Sequence, residues 1–270
     1  MPELPEVETT RRGIAPHLVG RTVTGVVVRD HRLRWPVPRG LSGHLVGQTL
    51  QGVERRAKYL LLCFSNGTVL VHLGMSGSLR IVRAATPADV HDHLDLVFGN
   101  QALRLRDPRR FGSVHWVAGD PAHHPLLARL GPEPLGDAFD AAYLHAAARR
   151  RRVAAKTLLM DSHVVVGVGN IYANESLFRA GIRPTRRSDR LTRADCARLV
   201  QAVRAVLTAA IAVGGTTLRD FVREDGSPGY FVSDLKVYGR GGEACPACGT
   251  ALKATRLGQR ATVYCPKCQK

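Results

Sequence analysis

The sequence predicts an α+β fold, in which an antiparallel β-sandwich or barrel with flanking helices precedes a helical half and a metal-binding hairpin. Between residues 21 and 117, short apolar stretches alternate with turn signals such as Ser65-Asn66-Gly67, a pattern typical of antiparallel sheets. From about Leu126 onward, alanine- and leucine-rich segments have helical periodicity instead. Two Cys-x-x-Cys pairs lie within the last 26 residues.

These changes along the chain predict three domains. We expect a β-sandwich domain over residues 1–131, a helical domain over residues 132–235 and a four-cysteine hairpin over residues 236–270. Pro132-Glu133-Pro134 favours a boundary between the first two, because proline interrupts regular structure. The 270 residues are enough for domains with cores of their own.

Each predicted element rests on a local pattern. The opening helix, residues 4–18, has Pro5 near its start, and Glu6 and Glu8 in its first turn suit the positive helix end. The predicted strands are residues 21–34, 50–56, 59–64, 69–72, 78–82, 94–98, 102–106 and 113–117. The later predicted helices are residues 141–150, 154–160, 173–180 and 193–213.

The first residues offer a candidate nucleophile. Proline at position 2 favours removal of the initiator Met1, which would leave Pro2 with a free secondary amine. An α-amino group titrates near ~7.7–8.0, so part of it is nucleophilic at neutral pH, and its attack on an aldehyde-level carbon yields an iminium. Glu3 stands beside it as a proton donor or acceptor. The alternative is that these residues only begin a helix.

Two tight turns carry candidate wedge residues. Residues 72–77, His-Leu-Gly-Met-Ser-Gly, and residues 107–112, Asp-Pro-Arg-Arg-Phe-Gly, would direct Met75, Arg109 and Phe111 outward. An enzyme that extrudes a base must fill the hole left in the stack, and such side chains can do so. The alternative for Met75 and Phe111 is an ordinary place in the core.

A Gly-x-Gly-Asn turn at residues 167–170 enters a predicted helix and would present backbone N–H groups and the Asn170 amide to an anion. The basic run of residues 149–152 and Lys156 lie nearby in sequence. This combination favours a helix, two turns and a second helix crossing phosphates. Dinucleotide binding is disfavoured, because no strand of a βαβ unit precedes the turn.

The cysteine spacing predicts one structural zinc ion. Cys245 and Cys248 are separated by sixteen residues from Cys265 and Cys268, which is typical of a four-thiolate finger and not of a redox pair. Arg260 is expected at the turn of the hairpin between them, where it can face phosphate together with other cations. The two remaining cysteines, Cys63 and Cys196, are expected to be buried thiols.

The charge balance favours a polyanionic partner. Lysine and arginine number 39 against 22 acidic residues, a net charge of +17, which suits phosphate contacts. A membrane surface is the rival partner, but no 18-residue apolar run or basic amphipathic anchor is present in the sequence. We therefore expect a cytoplasmic protein that binds nucleic acid, without a secretory signal.

Taken together, the sequence resembles the formamidopyrimidine-DNA glycosylases, bacterial base-excision enzymes that act on 8-oxoguanine and ring-opened purines. Leu4 and residues 109–111 favour this branch over the endonuclease VIII type, which usually opens Pro-Glu-Gly-Pro-Glu and lacks the second turn. The stretches that carry the resemblance are MPELPEVET, RRAKYLL, HLGMSGSLR, HDH, LRDPRRFG, LGPEPL, VGVGNIYANE, GGTTLRDF, DGSPGYF, VYGR and the cysteine pairs.

The resemblance implies a bifunctional DNA glycosylase and AP lyase that binds double-stranded DNA as a monomer, near the bacterial nucleoid, in a cleft between an N-terminal β-sandwich and a helix–two-turn–helix domain with a zinc finger. Pro2 would form the Schiff base, with Glu3 as acid/base partner. Lys58 would donate a proton for β-elimination and Arg260 would assist δ-elimination. The implied DNA contacts are His72, Met75, His91, Arg109, Phe111, Arg151, Lys156 and Asn170. Glu6 and Glu175 would organise the pocket, and residues 225–230 would belong to a loop over the everted base.

Three alternatives stay open at this point. An endonuclease VIII-type glycosylase would prefer oxidised pyrimidines. A non-catalytic zinc protein that binds damaged DNA would result if Met1 blocked Pro2. A zinc-ribbon transcription factor is disfavoured by the long motif-bearing body ahead of the cysteines.

Overall fold

The fold is seen in a computed structural model that describes residues 2–215 and 235–270. These residues divide into two units, 2–128 with 213–215 and 129–212 with 235–270. The expected loop at residues 225–230 lies outside the described residues. Within the described part, no helix is both long and apolar enough to span a bilayer.

The N-terminal unit contains two four-stranded antiparallel sheets, as predicted, with strand orders β1-β6-β7-β5 and β2-β3-β4-β8. Side chains from both sheets and from α1 share one apolar core, including Val7, Leu62 and Leu96. The elements are α1 (Leu4–Leu18), β1 (Gly25–Val28), α2 (Leu41–Leu45), β2 (Gly52–Arg56), β3 (Tyr59–Phe64), β4 (Gly67–His72), β5 (Ser78–Arg83), β6 (Asp92–Phe98), β7 (Gln101–Arg106), β8 (Ser113–Val117) and a 3-10 turn (Pro121–His123).

The first strand is much shorter than predicted. Residues 21–34 were expected to be one strand, but only β1 pairs with β6. The chain leaves the sheet at Asp30, whose carboxylate accepts a hydrogen bond from the Arg32 N–H at 2.9 Å, a local turn that competes with strand pairing. The short helix α2 follows and had no sequence signal, because five residues contain little periodicity.

The second unit is helical, as predicted, and ends in a β-hairpin. Its third helix begins at Asn170, three residues before the predicted start, because Gly169 supplies the extended N-cap. The helix ends at Ala180, and its C-cap residue Gly181 is in the left-handed region (φ 70°). The elements are α3 (Ala141–Arg149), α4 (Ala155–Met160), α5 (Asn170–Ala180), a 3-10 turn (Ser188–Arg190), α6 (Arg193–Ala212), β9 (Lys253–Leu257) and β10 (Arg260–Tyr264).

The terminal hairpin is bound to the helices by buried polar side chains. The Val263 N–H donates to Asn174 Oδ1 at 2.9 Å. Gln269 accepts from the Cys265 N–H and donates to the Ile182 carbonyl, each at 2.8 Å. Because these groups are buried, leaving any of them unpaired would cost free energy of folding.

A buried ion pair connects β6 and β7. The Asp95 carboxylate accepts from Arg104 Nε at 2.9 Å and Nη2 at 2.8 Å, and both side chains are 3% exposed. Arg29 contacts the same carboxylate at 2.6 Å. Burial alone would raise the pKa of Asp95, but the hydrogen bonds from Arg104 and Arg29 lower it overall. Asp95 therefore stays ionised at neutral pH.

We predict that Asp95→Ala destabilises the protein by about 3–5 kcal/mol, because the buried Arg104 guanidinium loses both hydrogen bonds to Asp95 and keeps only the more distant carboxylate of Asp92, at 3.5 Å, as a counter-ion. Glu54→Ala, at an exposed position on β2, is the control and should change stability by about 0.5 kcal/mol or less. Urea denaturation at neutral pH measures both. Equal midpoints for the two variants would contradict the prediction.

Candidate functional site

Pro2 and Glu3 lie at the start of α1, and both are buried. Glu3 is the N-cap residue of the helix, and its N–H donates to Glu6 Oε2 at 2.8 Å. This hydrogen bond fixes the backbone beside Pro2, and it is the contact through which Glu6 organises this end of the helix. The positive end of α1 favours the unprotonated form of an amine placed there.

Lys58 lies in the two-residue turn that joins β2 to β3, where Arg56 pairs with Tyr59. The turn brings Lys58 close to His72 at the end of β4, since Tyr59 and His72 are paired across the strands and their rings lie 4.8 Å apart. Burial, with the nearby charges of Lys58 and Arg34, lowers the pKa of His72 to about 4. His72 is therefore neutral at pH 7.

The ring of His72 is also oriented. Its Nδ1 accepts a hydrogen bond from the Gly74 N–H at 3.0 Å, which assigns the proton of the neutral ring to Nε2. A neutral imidazole with Nε2–H is a donor suited to a phosphate oxygen. The structure thus brings Lys58 and His72 together as sequence-predicted site residues.

The buried carboxylate of Asp107 holds the two wedge turns together. Asp107 is fully buried and accepts from Ser76 Oγ at 2.9 Å and from the Gly112 N–H at 2.7 Å. The turns approach so closely that a Cβ on Gly74, whose φ is 65°, would lie 2.4 Å from the Gly112 nitrogen. Asp107 had no predicted role of its own; a carboxylate before proline in a tight turn was the available signal.

The side chains carried by these turns differ in exposure. Phe111 is 45% exposed, and the Arg109 guanidinium lies 5.0 Å from its ring centroid, a cation–π arrangement. Phe111 is therefore not a core residue. Met75 and His91 are half-buried, and the His91 carbonyl accepts from the Asp107 N–H at 3.0 Å.

Three predicted DNA-contact or catalytic cations line one cavity of about 420 Å³ in the second unit: Arg151, Lys156 and Arg260. Lys156 is 1% exposed, and its Nζ donates to the Ala261 carbonyl and to Thr262 Oγ1, each at 2.7 Å. Lys156 thus links α4 to β10 through hydrogen bonds. A phosphate contact by Lys156 stays a prediction.

Arg260 and Arg151 are more accessible. Arg260 is exposed at the first position of β10, directly after the turn Gly258-Gln259, whose residues are both left-handed (φ 53° and 64°) as a type I′ hairpin requires. Arg151 is half-buried, and its Nε lies 3.7 Å from the Asp161 carboxylate. Both side chains belong to the wall of the cavity.

Two residues of α5, Asn170 and Glu175, complete the predicted site residues of this unit. Asn170 is the first residue of α5, directly after Gly169, so its amide lies at the positive end of the helix. Further along α5, the carboxylate of Glu175 accepts backbone N–H groups from Lys236 and Val237 at 2.9 Å and from Tyr238 at 2.8 Å. Glu175 thereby fixes the backbone that leads into the cysteine hairpin.

The four cysteines form a cluster that fits a tetrahedral metal. The Sγ atoms of Cys245, Cys248, Cys265 and Cys268 all lie within 4.8 Å of one another, with distances of 4.0 Å for the 245–268 pair and 3.5 Å for the 248–265 pair. Four sulfurs about 2.3 Å from zinc would be separated by about 3.8 Å. A set of four thiolates at this spacing suits Zn²⁺ in a structural role.

These features define a class: a protein with an antiparallel β unit and a helical unit that ends in a four-cysteine zinc finger. Three family models match this chain: the formamidopyrimidine-DNA glycosylase N-terminal domain over residues 1–114, its H2TH domain over 130–222, and the zinc finger found in FPG and IleRS over 242–270. The chain therefore belongs to the formamidopyrimidine-DNA glycosylase family, which confirms the resemblance.

Relatives and solved structures agree with this assignment. The chain is 64% identical to the formamidopyrimidine-DNA glycosylase of Thioalkalivibrio sulfidiphilus and 59% identical to that of Cellvibrio japonicus, over 100% of both chains in each case. It is similar to the crystal structure of MutM (Fpg) from Thermus thermophilus, with a TM-score of 0.89, 40% identity and coverage of 99% and 98%. It is also similar to Lactococcus lactis Fpg in complex with abasic-site DNA, with a TM-score of 0.92, 31% identity and coverage of 99% of both.

We predict that Asp107→Ala destabilises the N-terminal unit, because the Ser76 hydroxyl and the Gly112 N–H lose their buried acceptor. Each donor left unpaired should lower the free energy of unfolding by about 1–3 kcal/mol. Asp120→Ala, which removes an exposed capping carboxylate, is the control and should cost about 1 kcal/mol. Urea denaturation gives the free energies, and hydrogen exchange of the Gly112 amide tests the cause. An unchanged exchange rate in Asp107→Ala would show that the carboxylate does not hold the turn.

We predict one zinc ion per chain, lost when Cys268 is replaced by serine, because three thiolates and a hydroxyl bind Zn²⁺ more weakly than four thiolates. Cys63→Ser, at a cysteine outside the cluster, should retain one equivalent. Elemental analysis after dialysis against a chelator measures the stoichiometry. A full equivalent of zinc in a Cys248→Ser, Cys268→Ser double variant would contradict this assignment.

Proposed function

We propose that this protein is a bifunctional DNA glycosylase and AP lyase of base-excision repair that removes 8-oxoguanine and formamidopyrimidines. The observation that carries the proposal is the buried Pro2–Glu3 pair at the start of α1, in a chain that matches formamidopyrimidine-DNA glycosylases over its full length. The L. lactis relative binds abasic-site DNA, and its G226P mutant is seen in complex with Fapy-dG DNA. Substrate and intermediate of the proposed reaction are thus both represented.

The proposed chemistry begins with Pro2 after removal of Met1. The Pro2 nitrogen attacks C1′ of the damaged nucleoside, the glycosidic bond breaks with its electron pair leaving on the base, and opening of the sugar gives an iminium. Glu3 acts as acid/base partner in these proton transfers. The iminium acidifies C2′–H, and loss of that proton expels the 3′ phosphate. A second elimination expels the 5′ phosphate, and water releases Pro2.

The remaining site residues stabilise phosphates and fill the space left by the everted base. We propose that Lys58 donates a proton during β-elimination and that Arg260 assists δ-elimination by stabilising the departing phosphate. Neutral His72 would donate from Nε2–H. The further DNA contacts that we propose are Met75, His91, Arg109, Phe111, Arg151, Lys156 and Asn170.

The exposure of Arg109 and Phe111 supports a wedge role, because a side chain that enters a base stack must project from the surface. The half-buried Met75 belongs to a turn whose backbone is held against theirs through Asp107. We propose that the three side chains together replace the everted base. The zinc finger would present Arg260 from a rigid type I′ turn, with the metal serving only to hold the hairpin.

The place of action follows from the substrate. We propose that the protein works as a monomer on chromosomal DNA in the bacterial cytoplasm, close to the nucleoid. We also propose that residues 1–131, 132–235 and 236–270 act as the catalytic, DNA-binding and zinc-finger domains.

The covalent mechanism predicts that borohydride traps the wild-type protein on duplex DNA carrying 8-oxoguanine, and that Pro2→Gly lowers trapping by about a hundredfold or more, since the secondary amine held by the proline ring is replaced by a less constrained primary amine. Pro16→Ala removes an exposed proline from the same helix and should trap as wild type does. Denaturing gel electrophoresis of the adduct gives the yield.

Two outcomes would contradict the proposal in different ways. Preferential trapping on thymine glycol would indicate an endonuclease VIII-type specificity. Intact mass showing retained Met1, together with no adduct on any lesion, would leave a damaged-DNA-binding protein without this catalytic mechanism.

A further inference from the structure

The carboxylate of Glu8 in α1 accepts hydrogen bonds from three guanidinium groups. Glu8, 8% exposed, accepts from Arg11 Nη2 and Arg12 Nε at 2.8 Å and from Arg55 Nε at 3.1 Å. Burial alone would raise the pKa of Glu8, but the hydrogen bonds from these arginines lower it to about 2. Glu8 is therefore a fixed negative charge at any pH at which the protein works.

The three arginines differ in what else they contact. Arg12 has a side chain that is 58% exposed, and Arg11 also donates to the Val53 carbonyl on β2 at 3.4 Å. Arg55 is 12% exposed, and its Nη1 donates to the Ala57 carbonyl at 3.0 Å. Arg55 thus connects the charge on α1 with the turn that carries Lys58.

The turn itself needs such a contact. Ala57 has a φ of 55°, a left-handed conformation that costs a residue with a Cβ about 1–2 kcal/mol and persists where the surroundings hold it. Its carbonyl belongs to the peptide group whose nitrogen is that of Lys58. Fixing this peptide plane fixes the direction in which the Lys58 side chain leaves the backbone.

We propose that Arg55, held by Glu8, is a positioning residue that orients Lys58 for proton transfer during β-elimination. The proposal rests on the proposed function, in which Lys58 acts on the DNA. Arg55 itself acts through Lys58, by keeping the Ala57 peptide in its left-handed turn. A methionine at position 55 has a similar apolar stem but cannot bridge the carboxylate and the carbonyl.

A double-mutant cycle tests this coupling, because the effect of a residue that acts only through a second one disappears when the second is removed. Single-turnover cleavage of an abasic-site duplex is measured at saturating enzyme for wild type, Arg55→Met, Lys58→Ala and the double variant. We expect Arg55→Met to slow cleavage between about tenfold and a hundredfold in the wild-type background. In the Lys58→Ala background we expect less than about a twofold change, with unaltered DNA affinity in both.

Arg12→Met is the matched control, because it removes an arginine from the same carboxylate without reaching the turn, and it should cleave at the wild-type rate. Glu8→Gln replaces Arg55→Met in the cycle should Arg55→Met fail to fold. It should slow cleavage in the wild-type background, by less than Arg55→Met does, and should not slow it in the Lys58→Ala background. Thermal melting verifies that each variant is folded.

An equal slowing by Arg55→Met in both backgrounds would overturn the proposal, as would a wild-type rate for Arg55→Met or for Lys58→Ala. Borohydride trapping of the wild type separates this failure from that of the proposed function. If the wild type forms the adduct and cuts the strand, only the positioning role is refuted. If it does neither, the proposed function fails.

Discussion

The attachment of α1 to the N-terminal sheets is the constraint on which the candidate nucleophile depends. Pro2 and Glu3 have no element before them in the described structure, so their positions are set by the helix that follows. Val7, Ile14 and Leu18 are fully buried on one side of that helix, and each such side chain stabilises its docking by about 1.5–3 kcal/mol. The apolar contacts set how closely α1 packs on the core of the sheets. The directional hydrogen bonds to Glu8 set the rotation of α1 about its own axis and its distance from β2.

Buried carboxylates hold three segments of the chain: the turn that carries Lys58, the two wedge turns, and the backbone ahead of the zinc finger. A buried carboxylate collects N–H donors from segments far apart in sequence: Glu8 from β2, Asp107 from the two wedge turns, and Glu175 from the backbone ahead of the zinc finger. Hydrogen bonds that involve a charged group are stronger than neutral ones, and a loop held in this way loses little conformational entropy when it binds. Turns are otherwise the mobile parts of a fold, so this arrangement gives them the rigidity that positioned chemistry requires.

Local patterns predicted most of the strands and helices, because their hydrophobic periodicity and turn residues lie within a few positions of each other. The predicted length of the first strand was wrong, also for a local reason: the turn formed by Asp30 ends the strand that the β-branched residues before it begin. The zinc cluster was predictable because each half of it is a Cys-x-x-Cys turn. The contacts that hold the turn carrying Lys58 were not, since the Glu8–Arg55 contact spans 47 residues, and single-sequence periodicity contains no information about which charged side chains meet in space.

Lys156 shows the corresponding limit for binding residues. Its position beside a basic run indicated a phosphate contact, which stays a prediction, but did not reveal that its ammonium donates to β10. A lysine is costly to bury, but two short hydrogen bonds to oxygen atoms offset part of that cost. The contact with β10 is made by tertiary packing, which the sequence does not display.

The large positive charge is distributed unevenly, and this bears on how DNA would be held. Several arginines are already neutralised inside the protein, as Arg104 is by Asp95, so they contribute little to the field at the surface. In the basic run, Arg149 donates to the Asp189 carbonyl at 2.7 Å and Arg152 lies 3.8 Å from the Asp189 carboxylate. Because these contacts are exposed, a phosphate can exchange with them at small cost. Exposed cations that are oriented by weak internal partners suit a surface that must grip a polyanion and then release it, whereas the buried pairs maintain the geometry in which the chemistry takes place.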